Sequence, residues 1–198
     1  MKFNYNDGGR EAAGFKGKTG DCVCRAIAIA AERPYKEVYD LINEYAKSER
    51  TGSRKRGKSN ARTGVYKQTV RKVMAHYGFT WVPTMQIGQG CTVHLCEEEL
   101  PKGRIVVSVS HHEVAVIDGV INDTYDPSRD EKRCVYGYYI KEERYKVAYE
   151  ILAPSGRWLT DYIDNDGNGL TRLETAHAIN ELRHNCQFSI MNIRKEVK

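Results

Sequence analysis

Three residues of this chain have the types and the order that thiol chemistry requires, and Cys22 is the first of them. It follows Thr19 and Asp21, which are both able to cap a helix, and it leads into a run of small, helix-forming residues. This pattern predicts a thiol in the first turn of a helix, where unpaired backbone N–H groups favour the thiolate form. We therefore predict that Cys22 is a nucleophile. The alternative is a small buried apolar residue, the usual environment of a free cysteine.

The other two residues, His112 and Asp123, fall on a predicted β-hairpin. An Asp-Gly dipeptide follows Ile117 and separates two alternating apolar segments, which predicts a two-residue turn that pairs Ile117 with Val120. In this register Asp123 is the diagonal neighbour of His112 on the same face of the sheet. An imidazole oriented by a carboxylate, beside a helix-terminal thiol, is the arrangement of Cys-His-Asp catalysis. The alternative is a hydrogen-bonded polar pair at a sheet edge.

The elements that would position these residues predict helices first and an antiparallel sheet afterwards. Helices are predicted from Cys22 to about Ala31, from Pro34 through an apolar stripe ending at Tyr45, and over roughly 64–77. Strands are predicted at 79–82, 91–96, 104–110, 112–117, 120–125, 134–140 and 145–152. This order is typical of an α+β domain.

The chain is predicted to have three parts. Residues 1–18 are polar and glycine-rich and are expected to form an extended lead-in. Residues 19–152 are expected to form the α+β domain. Residues 153–198 differ in character and are expected to form a C-terminal helical appendage, with a helix at about 171–184.

A strongly basic segment spans residues 47–72, with ten Lys or Arg residues against one acidic residue, Glu49. Its central part, 51–63, lacks periodicity and is predicted to be a surface loop. Such a loop can hold phosphates, and therefore nucleic acid, or an acidic partner. The alternative is a solvated loop with local counterions. The candidate contact residues are Arg54, Lys55, Arg56, Lys58 and Arg62.

The C-terminal part contains a segment that resembles a calcium-binding loop of the EF-hand kind. The candidate ligands are Asp164, Asp166, Asn168 and Glu174. The first three and Gly169 match loop positions 1, 3, 5 and 6, but position 12 is Thr175, so the acidic residue arrives one position early. The alternative is an Asn/Asp/Gly turn that caps the following helix. No other cofactor is expected.

The overall composition gives no general indication that the protein binds nucleic acid or a membrane. The formal net charge of +5 is modest, and no segment approaches the ~20 apolar residues of a membrane span. The first residues contain no apolar run, so we expect no signal peptide and no membrane association. The six cysteines are then expected in a reducing compartment, where their even number is no evidence for disulfides.

In chain order, the helix-borne Cys22, the His112 strand and Asp123 on the next strand resemble the papain-like cysteine hydrolases. The layout is most similar to the C39-type peptidases that process bacteriocins and to the transglutaminase-like group. More narrowly, three motifs resemble small uncharacterised proteins of tailed bacteriophages. They are Thr19-Gly-Asp-Cys22 with Arg25-Ala26, Pro101-x-Gly-Arg104, and the run from His112 to Ser128. The resemblance covers roughly residues 17–140.

This resemblance implies a papain-like fold with N-terminal helices packed on an antiparallel sheet. It implies Cys22 as nucleophile, His112 as general base and acid, and Asp123 as the group that orients the imidazole. The expected reaction is cleavage of a peptide, isopeptide or amide bond through an acyl-enzyme, in the host cytoplasm or in a virion. The family also has a glutamine shortly before the cysteine that donates to the oxyanion, and this chain has none there. The alternative is an inactive papain-like protein that binds a host protein, nucleic acid or virion proteins.

Overall fold

The computed structural model describes residues 1–17, 19–51, 57–141, 145–152, 155–163, 169–185 and 190–197. This part of the chain is an α+β protein with four helices and two sheets. It divides into two compact units, Met1–Lys141 and Glu142–Lys198. In the described ranges, no helix combines the length and apolar character needed to cross a bilayer.

The first unit consists of three helices and a six-stranded sheet within its described residues. The helices are α1 (Cys22–Ala31), α2 (Tyr35–Lys47) and α3 (Lys67–His76). The strands are β1 (Lys2–Tyr5), β2 (Phe79–Pro83), β3 (Arg104–Val109), β4 (His112–Ile117), β5 (Val120–Asp123) and β6 (Val135–Lys141). The strand order is β1-β5-β4-β3-β6-β2, and every neighbouring pair is antiparallel except β1 with β5.

The β4–β5 hairpin has the predicted register. Ile117 pairs with Val120, and Val116 pairs with Ile121. Asp118 and Gly119 both have positive φ, at 48° and 82°, which is the backbone geometry that an Asp-Gly hairpin turn requires. The hairpin therefore keeps the predicted alternation of side chains along β4 and β5, and Asp123 is the last residue of β5.

Helix α1 packs on one face of the sheet and is buried along almost its whole length, from Val23 to Ala30. Its small and β-branched residues form a core with α2, α3 and the inward-facing Val106 and Ala115 of the sheet. A second core covers the opposite face of the sheet and includes Val114. The sheet is therefore buried on both sides, which explains the continuous apolar character of β3.

The lead-in and the region before β3 differ from the expectation. Residues Lys2–Tyr5 of the predicted extended lead-in form β1, which adds a parallel strand at the edge of the sheet. The predicted strand at 91–96 is instead irregular, with one isolated bridge from His94 to Cys134. A disulfide that the sequence did not indicate joins Cys91 to Cys134, whose Cα atoms are 5.7 Å apart.

The second unit has its own three-stranded antiparallel sheet, in the order β8-β7-β9, with a helix. The elements are β7 (Tyr145–Leu152), β8 (Trp158–Ile163), α4 (Arg172–Asn185) and β9 (Ile190–Val197). Val147, Leu170 and Ala178 form its small core. The boundary lies at residue 141 rather than the expected 152, because β7 is hydrogen-bonded to β8 and β9. The C-terminal part is thus a sheet with one helix rather than a helical appendage.

Candidate active site

Cys22 is the first residue of α1, and it is half-exposed. It lines the same cleft as His112, the first residue of β4, and its thiol is close enough to the imidazole to raise the pKa of His112. Strict alternation along β4 assigns His112 to the face of Val114, opposite to the face that α1 covers. Cys22 and His112 are each the first residue of their element, and both line the same cleft.

His112 and Asp123 form a buried pair, and their residues are 8% and 3% exposed. Nε2 of His112 lies 2.5 Å from Oδ2 of Asp123. The other carboxylate oxygen, Oδ1, accepts a hydrogen bond from the backbone N–H of Thr124 at 2.7 Å. Because Nε2 is engaged with the carboxylate, Nδ1 is the ring nitrogen left for the thiol of Cys22.

The surroundings of His112 favour its protonated form. Burial works against the imidazolium charge, but hydrogen bonds with Asp123 and with Cys22 outweigh it and raise the pKa of His112 to about 9. Burial also works against the charge of Asp123, and the hydrogen bond with His112 outweighs it, so the pKa of Asp123 is lowered. At neutral pH the pair is therefore an imidazolium with a carboxylate, ready to stabilise a thiolate beside it.

A second buried carboxylate, Asp21, lies immediately before α1. The sequence predicts a capping role for it, but among the described residues its side chain makes no capping hydrogen bond. Its carboxylate instead accepts hydrogen bonds from Arg25 and from the hydroxyl of Tyr35, the latter at 2.6 Å, and forms an ion pair with Arg10 at 2.8 Å. These contacts neutralise a charge that would otherwise disfavour a thiolate at the adjacent residue.

Arg25 connects this carboxylate to the histidine pair. Its Nη2 donates to Oδ1 of Asp123 at 3.1 Å, while Nη1 donates to Asp21. Arg25 belongs to the Cys22 motif described above, but the sequence alone indicates no role for it. The available signal was its spacing of four residues from Asp21, which places the two side chains one helical turn apart.

Other free cysteines in the described ranges are poorly suited to nucleophilic chemistry. Cys24 is buried two positions further along the helix, and its Sγ donates to the carbonyl oxygen of Tyr35 at 3.7 Å. Burial raises the pKa of Cys24 to about 12 and also raises the pKa of Cys96. Both therefore remain thiols at neutral pH.

A cleft of about 480 Å³ opens beside Cys22 and His112. Its wall includes Lys67, from the start of α3, and Glu113, the residue after His112. Glu113 lies opposite Ser108 in the β3–β4 register and is hydrogen-bonded with it. Burial raises the pKa of Glu113 to about 7, and its Oε2 is buried with no hydrogen-bond partner among the described residues. The sequence does not indicate Glu113 as a site residue, because the alternation of side chains along β4 does not show which face of the sheet the helices cover.

The basic contact residues are only partly described. Arg54, Lys55 and Arg56 lie outside the described residues. The Nζ of Lys58 donates to the carbonyl oxygen of Lys47 at 2.8 Å, and the Nη2 of Arg62 donates to that of Lys16 at 3.0 Å. Both described cations thus contact backbone oxygens of neighbouring segments.

The candidate calcium ligands are also only partly described. Asp164, Asp166 and Asn168 lie outside the described residues. Glu174 accepts a hydrogen bond from the backbone N–H of Thr171 at 2.8 Å, and the Thr171 hydroxyl accepts one from the N–H of Glu174. This reciprocal pair is a capping box at the start of α4. Where the structure is described, no group of three or more His, Cys, Asp or Glu residues is arranged to hold a metal ion.

No known protein family, curated protein or solved structure matches this chain. A half-exposed helix-terminal thiol contacts a protonated imidazole that is oriented by a buried carboxylate, and a cleft lies beside them. This arrangement can carry out nucleophilic acyl transfer.

Proposed function

We propose that this protein is a papain-like cysteine hydrolase that cleaves a peptide, isopeptide or side-chain amide bond. The observation that carries the proposal is the contact of Cys22 with His112, together with the 2.5 Å contact of His112 with Asp123. His112 thus lies between Cys22 and Asp123, which supports the roles of nucleophile for Cys22, base for His112 and orienting group for Asp123. The proposed setting is a bacterium infected by the phage that encodes the protein, or the phage particle.

In the first half of the proposed reaction, the Cys22 thiolate attacks the carbonyl carbon of the scissile amide, and the carbonyl electron pair moves to the oxygen. The backbone N–H groups of Cys22 and Val23 lie in the first turn of α1, where helices leave such donors free of intrahelical partners. They can therefore hydrogen-bond the oxyanion. As the carbon–nitrogen bond breaks, the imidazolium of His112 gives its proton to the leaving amine, and a thioester remains on Cys22.

In the second half, neutral His112 takes a proton from water, and the resulting hydroxide attacks the thioester carbon. The carbon–sulfur bond breaks, the carboxylic acid product leaves, and the thiolate–imidazolium pair is restored. Asp123 keeps its charge throughout and stabilises the imidazolium at both ends of the cycle. The cleft beside Cys22 is lined both by polar and charged residues, such as Lys67 and Glu113, and by apolar ones, such as Val23.

The test is the pH dependence of Cys22 alkylation by iodoacetamide, read for each cysteine by peptide mass spectrometry. In the wild type we expect rapid alkylation of Cys22 at pH 5–6, where an ordinary thiol is almost unreactive. His112→Ala should slow this reaction at least tenfold, because the thiolate loses its cationic partner. His111→Ala is the matched control, since His111 is the exposed neighbour on the same cleft. Equal rates in the wild type and His112→Ala would contradict the proposal and favour an inactive binding protein.

A further inference from the structure

Arg25 is a buried cation held between two buried carboxylates. It bonds Asp21 through Nη1 and Asp123 through Nη2. Asp21 belongs to the segment that begins α1, whereas Asp123 is the last residue of β5. The guanidinium therefore links the helix that carries the thiol to the strand that carries the orienting carboxylate.

The contacts of Asp123 divide between its two oxygens. Oδ1 accepts hydrogen bonds from Arg25 and from the backbone N–H of Thr124, whereas Oδ2 faces His112. A carboxylate with two donors on one oxygen cannot rotate without breaking both bonds. The planar fork of arginine suits this bridging, because its two terminal nitrogens reach different acceptors in a fixed geometry.

Cys22 and Arg25 are three residues apart on α1, so their side chains lie on the same side of the helix. The thiol contacts His112 directly, and the guanidinium reaches His112 through Asp123. Any displacement of the start of α1 therefore moves the nucleophile and the support of its base together.

We propose that Arg25 is a positioning residue, which fixes the Asp123 carboxylate and keeps it charged so that one oxygen always faces His112. The inference rests on the proposed hydrolase function and adds a member to its site. Arg25 does not contact the reacting atoms in this scheme. Asp21 holds Arg25 in place and balances its charge.

The charge of Arg25 should affect the pH dependence of Cys22 alkylation, whereas a salt bridge with a purely structural role should not. The titratable and charged groups that face Asp123 are Arg25 from α1, His112 from β4 and Tyr125 after β5. Arg25 is one of the causes that lower the pKa of Asp123. Without Arg25, the carboxylate of Asp123 should take up a proton at higher pH and no longer stabilise the imidazolium of His112. The acidic limb of the alkylation profile, which is the pH range in which the rate for Cys22 falls on acidification, should therefore move to higher pH.

The experiment compares the pH profile of Cys22 alkylation by iodoacetamide in the full-length wild type, Arg25→Met, Arg25→Lys and Arg10→Met. Arg10 is the matched control, because it pairs with Asp21 but makes no described hydrogen bond or ion pair with Asp123. For Arg25→Met we expect the acidic limb to shift to higher pH, because the carboxylate of Asp123 loses a neighbouring positive charge. Arg25→Lys keeps the charge, so its limb should stay near that of the wild type, while its plateau rate falls three- to tenfold because one ammonium cannot hold both carboxylates. Arg10→Met should match the wild type.

Several outcomes would overturn the assignment. A folded Arg25→Met protein with the wild-type limb would remove Arg25 from the site while the hydrolase proposal stands. An equal shift in Arg10→Met would show that the effect comes through Asp21 alone. If Arg25→Met does not fold, Arg25→Lys provides the test. A plateau rate of Arg25→Lys equal to that of the wild type would then remove Arg25 from the site. If His112→Ala has the same alkylation profile as the wild type, both the hydrolase function and this inference are rejected.

Discussion

His112 has opposing influences on its protonation, and their balance determines what the site can do. Burial alone would hold the imidazole neutral, but Asp123 and Cys22 stabilise the charged form more strongly than burial opposes it. The contribution of Cys22 is separable from that of Asp123, because the thiol can be removed without touching the carboxylate. The pKa of His112 therefore reports directly on the thiol contact.

Replacement of Cys22 by alanine should lower the pKa of His112 from about 9 toward its ordinary value, because a hydrogen bond and a nearby negative charge are lost. The measurement is an NMR titration of the His112 ring protons in both proteins. Cys24→Ala serves as control. An unchanged His112 titration in Cys22→Ala would show that the two side chains do not interact in solution.

Glu113 is a second residue whose titration can be measured, in this case through the pH dependence of the free energy of unfolding. Burial raises its pKa to about 7 in the folded protein, against about 4.5 when exposed. The folded state therefore binds the proton more tightly than the unfolded state. The resulting stabilisation is full below pH ~4.5 and is lost as the pH rises through about 7.

Glu113→Gln should remove this dependence and keep the hydrogen bond with Ser108. At pH 8 the variant should be more stable than the wild type by roughly 1–3 kcal/mol, and the difference should disappear near pH 4. Urea unfolding at both pH values measures it. Glu98→Gln, an exposed acid on the surface, should show no such change. Equal stabilities of wild type and Glu113→Gln at pH 8 would mean that Glu113 is solvated.

At the scale of the elements, the site depends on how firmly α1 is held against the sheet. Its N-terminal residue carries the thiol, and the residues that follow are buried between α2, α3 and β4. Ile27 is fully buried at the centre of this contact. The helix therefore obtains its stability from packing rather than from a side-chain cap.

Ile27→Ala should destabilise the protein by about 2–4 kcal/mol, because it leaves a cavity under α1. Ile87 is fully exposed, so Ile87→Ala should change the free energy of unfolding by less than about 0.5 kcal/mol. Urea unfolding followed by far-UV circular dichroism measures both. A loss below 1 kcal/mol for Ile27→Ala would indicate that α1 is not packed as the structure shows.

At the scale of the whole molecule, the chain divides into two compact units, and the candidate site lies within the first. Cys22, Arg25, His112 and Asp123 all belong to Met1–Lys141. The second unit has its own sheet, formed by β7, β8 and β9, and its own small core. The site should therefore not require the second unit for its assembly.

A chain that ends at Lys141 should fold and retain the Cys22 alkylation profile of the full protein within about twofold. The reason is that every described contact of the site falls inside the first unit. Alkylation kinetics and circular dichroism of the truncated chain test this. A truncated protein that folds but has lost rapid alkylation of Cys22 would show that the C-terminal unit completes the site.

The sequence by itself determined the local elements and the candidate triad. The Asp-Gly dipeptide set the register that makes Asp123 the diagonal neighbour of His112, and the small-residue run after Asp21 placed Cys22 at a helix start. These predictions succeeded because side-chain periodicity and turn geometry are local properties.

Only the tertiary structure decided which distant segments meet. Arg25 reaches Asp123 across 98 positions, and β7 joins β8 and β9 rather than extending the first sheet. The disulfide from Cys91 to Cys134 is a further example. Each of these contacts depends on how whole faces pack and which buried charges must be paired, and no spacing within one element encodes that information.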